Sequence, residues 1–434
     1  MKVYIKTLGC EKNTWDSEHA AGLLIASGAE ITEDPASADV MMVNTCGFIR
    51  DAKTQSIDSI FELAEIKKPG QKLVVSGCLS QRYSKDLEKE MPEVDIFLGV
   101  NDYARLPEIL REQASGVFCS PYSRSFEELG DRSIPGGTYT AAIKIAEGCN
   151  NICSYCAIPF IRGRYRSRRE EDILREARAL AEAGCKELIV IAQDVTAYGC
   201  DLGGEERLPG LLRSLCGIDG IEWIRLMYCY EDEITQGLID VIKQEPKICH
   251  YLDIPIQHCN DRILKSMNRK STNDSIRSTI NKLRKQIPDI VIRTTLITGY
   301  PGETKEEFAE LLEFVKELRF DRLGVFAYSK EEGTAAAKLP SQVRSDVKER
   351  RRDRIMEAQR AISLENNMKY VGSVLEVMVD EPDSEGSYIG RSRFDAPDID
   401  NSVIFTSSRS HRPGDIVKVL IKDAFDYDLT GEEL

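Results

Sequence analysis

Short apolar runs alternate with amphipathic helical stretches along the first quarter of the chain. VYIKTL precedes DSEHAAGLLIASG, ADVMMVN precedes KTQSIDSIFELAEI, KLVVSG precedes SKDLEKEM, and VDIFLGV closes the series. Strand and helix alternating at this spacing predict a parallel sheet covered by helices over residues 1–118. The polar stretch 120–138, with Pro and Gly, reads as a linker. From 139 the alternation resumes six times, in AAIKIA, ELIVIA, EWIRLM, HYLDIPI, IVIRTTLI and RLGVFAY, with helical patterns such as EDILREARALAEAG between. Six such units predict a (β/α)6-type full or partial barrel over 139–365, including the charged exit helix DVKERRRDRIMEAQRAI. Residues 366–434 switch to short alternating runs (VLEVMV, SYIG, SVIF, DIVKVLI) broken by Gly, Pro, Asp and Ser, the signature of a small antiparallel β-barrel. The chain therefore reads as a three-domain α/β protein.

Composition narrows the chemistry. The longest apolar stretches run about five residues, far short of the roughly twenty of a membrane span. Lys6 interrupts the opening MKVYIKTLGC, so no signal peptide is expected and the chain reads as soluble and cytoplasmic. The net charge is −14, which disfavours nucleic acid as a partner. Thirteen cysteines, an odd number, without secretory context argue against disulfides and for thiolate ligation of metal. Only four histidines accompany them, too few and too scattered for an obvious zinc site.

The cysteines fall into two sets. Cys149, Cys153 and Cys156 lie in EGCNNICSYCAIP, just after the first barrel strand. Three close thiolates are one short of the four that close an ordinary cluster, so an iron-sulfur cube here keeps one iron open; a partial zinc site is the competing reading. Cys10, Cys46 and Cys78 are distant in sequence, yet each follows an N-terminal strand and precedes a helix. A parallel sheet gathers such positions at one edge. Of the other cysteines, Cys259 beside His258 at the fourth strand end is the one whose surroundings matter most.

Cys-x3-Cys-x2-Cys at the first strand end resembles the radical S-adenosylmethionine enzymes, and a three-cysteine sheet domain before such a barrel, with a small barrel after it, is similar to the methylthiotransferases. That resemblance covers nearly the whole chain. It implies two 4Fe-4S clusters, one on Cys149, Cys153 and Cys156 and one on Cys10, Cys46 and Cys78, with two S-adenosylmethionine molecules. One is cleaved reductively to the radical that abstracts hydrogen from an unactivated carbon; the other methylates the sulfur to be inserted. It further implies S-adenosylmethionine or substrate contacts at Tyr155, Gln193, Asp194, Arg225 and Gln257, and at Ile297 and Gly299 of TTLITGYPGET. In that loop Thr295 replaces a frequent glycine and Gly302 a frequent acid.

The family's main branches modify a transfer-RNA adenosine or an aspartate of small-subunit ribosomal protein twelve. LDIPIQH, DRLGVFAYSKEEGT and SRFDAPDID resemble the ribosomal-protein branch. Charge agrees: residues 370–434 carry 14 acidic and 6 basic residues, a net of −8, which attracts a basic ribosomal protein and repels RNA. The reading is thus methylthiolation at the aspartate β-carbon, with an external electron donor and a sulfur source as further partners. The alternatives are a transfer-RNA methylthiotransferase and a non-catalytic iron-sulfur carrier. Arg162, Arg164, Arg166, Arg168 and Arg169 form a run near the barrel mouth that either grips phosphate or a carboxylate or is a solvated rim. Arg350, Arg351 and Arg352, flanked by acids, read as solvated.

Overall fold

The structure is a computed structural model that describes residues 1–122, 125–134, 138–203 and 207–434. The N-terminal sheet contains β1 (Lys2–Thr7), β2 (Glu30–Ile31), β3 (Val40–Thr45), β4 (Lys72–Gly77), β5 (Ile96–Leu98) and β6 (Gly116–Phe118). All are parallel, in the order β2-β1-β3-β4-β5-β6. β3 is buried along its whole length, as a parallel strand covered on both faces must be. The short strands β2 and β6 at the two edges carry too little apolar pattern to be read from sequence. Helices α1 (Glu11–Ala26), α2 (Arg50–Ile66) and α3 (Cys78–Glu90) each start close behind a strand. Because Thr7 stands opposite Asn44 and Thr45 opposite Gly77, the ends of β1, β3 and β4 are in step.

The central unit consists of β7 (Thr140–Lys144), the short pair β8 (Ala146–Glu147) and β9 (Arg166–Ser167), then β10 (Glu187–Ile191), β11 (Trp223–Leu226), β12 (Ile248–Asp253), β13 (Val291–Thr298) and β14 (Arg322–Ala327). Its main sheet is parallel in the order β14-β13-β12-β11-β10-β7 and does not close. Leu188, Val190, Ile224, Leu252, Ile292 and Leu296 face the covering helices. The opposite, inward face carries Ile189, Trp223, Tyr251 and Val291 together with charged groups.

The C-terminal strands β15 (Val374–Ser384), β16 (Ser387–Ser392), β17 (Val403–Thr406), β18 (Ile416–Ala424) and β19 (Leu429–Glu433) form a closed barrel in the order β15-β16-β17-β19-β18. β19 is polar (LTGEE) and escapes the hydrophobic pattern; it pairs through its backbone with β17 and β18.

Neighbouring domains plug the open sheet at both ends. At the starting ends of its strands, buried Glu187 is ion-paired with Arg225 at 2.9 Å and with Arg391 of the C-terminal barrel, Arg322 pairs with Asp395 at 2.6 Å, and Asp400 pairs with Arg293 and accepts from the Tyr251 hydroxyl. At the far ends sits the N-terminal domain, tied to the β7 side through Asp16–Lys144 at 2.5 Å. On the β14 side Lys53 and Arg82 both reach Glu331. The expected linker 120–138 is, where described, a packed strap: Phe126 stands edge-on to Trp15, Leu129 is buried, and Arg132 pairs with Glu18 and Glu176. Residues 123–124 and 135–137 of that stretch lie outside the described residues. No helix among the described residues is long and apolar enough to cross a membrane.

One expectation is corrected here. Arg351 is not solvated: it is buried and pairs with Glu303 at 2.6 Å, while Arg350 is exposed and Arg352 half-buried. Cys259 and His258 are wholly buried, and burial pushes the His258 ring down to about 3, so this pair is packing. Glu187→Leu should leave Arg225 and Arg391 without their shared counter-charge, at a cost of about 3–5 kcal/mol. Differential scanning calorimetry checks this; an unchanged unfolding temperature contradicts it.

Candidate active site

The loop carrying the first cysteine triad is closed at its base by the β8–β9 pairing. Cys149 donates its N–H to the Gly163 carbonyl at 3.1 Å. Gly148, at φ +79°, lies so close to the Arg164 carbonyl that any Cβ would collide with it. Farther along, the Ser154 hydroxyl donates to the Ser266 carbonyl at 2.9 Å and is bonded to the Tyr300 hydroxyl at 2.7 Å. The Ile158 N–H points at Cys156 Sγ, 3.5 Å away, and the Tyr230 hydroxyl is 3.8 Å from Cys153 Sγ.

The second triad follows from the register of β1, β3 and β4. Cys10 caps α1, Cys46 follows β3 and Cys78 opens α3. Asn13 staples these loops, its side-chain amide donating to the carbonyls of Leu8 and Thr45 at 2.8 and 3.1 Å. A Cβ on Gly9 would stand 2.9 Å from Cys46 Cβ and 3.3 Å from its sulfur, and Gly9 is at φ +95°. Only glycine lets the Cys10 loop approach Cys46 this closely. All thirteen cysteines are unpaired.

The loops carrying Cys78 and Cys156 come together at the domain boundary. Cys78 packs with Ala157, the neighbour of Cys156, and with Ile161. Beside them Arg162 is 1% exposed. Its guanidinium donates to Asp16 at 2.9 Å, Glu147 at 2.8 Å, Asn13 Oδ1 at 2.8 Å and Cys78 Sγ at 3.4 Å. Lys144 completes the cluster at 2.8 Å from Glu147. Despite the cost of burial, Arg162 and Lys144 hold the Glu147 carboxyl well below the usual carboxylate range. Arg168 is likewise buried against Glu128 and Glu176. The arginine run is therefore not one continuous solvated rim. Arg162, Arg166 and Arg168 turn inward, and only Arg164 and Arg169 are exposed.

The remaining expected contacts divide. Tyr155 and Ile297 pack with Ile263, Met267, Tyr300 and Tyr328 against the first triad's loop. Gln257, at φ +68°, accepts from the Ile297 N–H and donates its own to Thr295. The Gly299 N–H donates to Glu303 at 2.7 Å. Asp194 accepts from the Asn151 amide at 2.7 Å and so flanks the same loop. Gln193 instead donates to Glu147 at 2.6 Å, joining the boundary network. Arg225 departs from expectation: fully buried, paired with Glu187 and donating to the Arg393 carbonyl, it serves the junction with the C-terminal barrel and not the mouth. A cavity of about 680 Å³, lined by Asn151, Cys153, Tyr165, Asp194 and Tyr230, opens beside the first triad.

Among the described residues no three Cys, His, Asp or Glu side chains converge on a single ion. An iron-sulfur cube makes no such demand, since its thiolates sit on different irons. Burial pushes the Cys78 thiol up to about 11 and Cys149 up to about 12, and raises Cys46 and Cys156. Thiols in that state become thiolates at neutral pH only on a cationic centre. Both donor sets fit a cluster with an open iron. Lys12, Asn13, Asp16, Lys144 and Glu147 stand out only after folding, although a lysine inside the apolar run AAIKIA was a visible signal. Arg162→Met should leave Asp16 and Glu147 to share Lys144, costing about 1–3 kcal/mol, and speed proteolysis at the domain boundary. Cleavage no faster than in the parent contradicts this.

Residues 2–99 match the family described as Uncharacterized protein family UPF0004, 143–315 the Radical SAM superfamily and 371–433 the TRAM domain. The chain is 49% identical over 439 residues to the "Ribosomal protein uS12 methylthiotransferase RimO" of Geobacter sulfurreducens, covering 99% of this chain and 98% of the relative. It is 48% identical to the protein of the same name from Clostridioides difficile, covering 100% and 99%. Among solved structures, the radical S-adenosylmethionine methyltransferase TsrM of Kitasatospora setae, with cobalamin and a 4Fe-4S cluster bound, superposes with a TM-score of 0.58 at 13% identity, covering 89% of this chain and 80% of its own. That likeness is one of fold.

Proposed function

The chain belongs to the ribosomal protein uS12 methylthiotransferase family, and from that premise we propose how its residues insert a methylthio group at the β-carbon of an aspartate of uS12. The enzyme is a radical S-adenosylmethionine transferase with two 4Fe-4S clusters. Cys149, Cys153 and Cys156 hold one cluster; Cys10, Cys46 and Cys78 hold the other. When bound, the clusters and S-adenosylmethionine supply the electron, the hydrogen-abstracting radical and the sulfur, chemistry for which no side-chain base is strong enough. The observation that supports this reading is the packing of Cys78 against Ala157, the neighbour of Cys156, at one domain boundary.

The protein's own residues bind and orient. The cavity beside Cys153 has the size of a small-ligand site and is assigned to S-adenosylmethionine, with Asp194 on its wall and Tyr155, Gln257, Ile297 and Gly299 bracing the loop. Glu147 and Arg162 fix the Cys149 loop against Cys78 and exclude water between them. Residues 1–118, 139–365 and 366–434 are taken as the three working domains. The last, with its net of −8, attracts a basic ribosomal protein. An external electron donor and a sulfur source complete the partners.

Mass spectrometry of cells lacking the gene should show the methylthio increment lost from uS12 and retained on transfer RNA; loss from transfer RNA instead overturns the assignment. The reconstituted Cys10→Ala/Cys46→Ala/Cys78→Ala variant should hold about four irons where the parent holds about eight, and should leave uS12 unmodified. Equal iron contents contradict the second cluster.

A further inference from the structure

At the start of α1, two residues beyond Cys10, Lys12 turns into the polar interior of the central sheet. It is 8% exposed, and its ammonium lies 3.1 Å from the centroid of the Tyr228 ring. Among the described residues it has no ion pair and no hydrogen bond.

Among the described residues, five other cations of this interior are paired with carboxylates. Lys144 and Arg162 share Asp16 and Glu147, Arg225 and Arg391 share Glu187, and Arg293 lies between Asp253 and Asp400. Adjacent Glu11 does not reach Lys12, and its own Oε2 is buried without a partner. An ammonium on a largely buried side chain, resting on an aromatic face without a counter-ion, is a costly arrangement that an arriving anion relieves.

We propose that Lys12 is the specificity-determining anchor for the side-chain carboxylate of the substrate aspartate, a step that rests on the uS12 reading above. Three observations converge on it. The reacting β-carbon is bonded directly to the carboxyl carbon, so gripping the carboxylate fixes the C–H to be broken to within one bond. The grip lies two residues from Cys10, at the boundary where the loops carrying Cys78 and Cys156 come together. In a chain of net charge −14 an ammonium without an ion pair is a local site that favours a carboxylate. Tyr228 beneath the ammonium holds it in place while leaving its N–H donors for the substrate.

The test uses the reconstituted holoenzyme with full-length uS12 and with uS12 whose target aspartate is replaced by asparagine. The unsubstituted enzyme should bind the aspartate form about tenfold or more tighter than the asparagine form. Lys12→Gln should abolish that preference and raise KM for uS12 by a similar factor at full iron content, and Lys12→Arg should restore part of the preference. If Lys12→Gln keeps the preference, or if the unsubstituted enzyme binds both forms alike, the anchor is overturned; the second comparison holds even where Lys12→Gln loses iron. Absence of any methylthio product on uS12 with the unsubstituted enzyme would instead count against the uS12 reading itself.

Discussion

One buried guanidinium holds this molecule's chemistry together. Arg162 lies at the junction of two domains, out of water, and gives its hydrogen bonds to a carboxylate on each side, to Asn13 and to the sulfur of Cys78. Burying so much charge carries a desolvation penalty that pairing only offsets when every partner is in place. The arrangement therefore has little tolerance for sliding. If the N-terminal domain shifts along the barrel mouth, Asp16 loses Arg162 and Lys144 together. The geometry that brings Cys78 against Ala157 is thus selected by the same interaction that makes displacement expensive.

The rest of the architecture follows from an open six-stranded sheet whose inward face is charged. A closed barrel fills its interior with apolar side chains; here Lys144, Glu187, Arg225, Asp253 and Arg293 occupy inward positions instead. Such a sheet needs partners at both ends. The C-terminal barrel supplies Arg391, Asp395 and Asp400 at one end, and the N-terminal domain supplies Asp16, Lys53 and Arg82 at the other. Among the described residues, Lys12 of this interior has no ion pair.

Much of this was legible in the sequence because it depends on period and position. Strand-helix alternation fixed the two parallel sheets, and the placement of Cys10, Cys46 and Cys78 after strands predicted their gathering; the registers put the ends of those three strands in step. What stayed hidden depends on contacts between segments far apart in the chain. The run from Arg162 to Arg169 reads as surface, since arginines usually are. Asp16, Glu128 and Glu176, which pull Arg162 and Arg168 inward, lie 146, 40 and 8 residues away. Arg225 misled for a related reason: a polar residue late in a strand suggests the mouth, but Glu187 and the Arg393 carbonyl draw it toward the opposite end. β19 was missed because its pairing is made by backbone, which leaves no hydrophobic pattern.

The central claim is that two clusters face each other across the Arg162 boundary, and electron paramagnetic resonance of the fully reduced, reconstituted protein tests it most directly. The account predicts signals broadened and rapidly relaxing through dipolar coupling between two nearby spins, reverting to a simple single-cluster spectrum when either triad is removed. A spectrum equal to the sum of the two single-cluster spectra, with unaltered relaxation, would mean that the thiolate sets do not confront each other, and the account would fail.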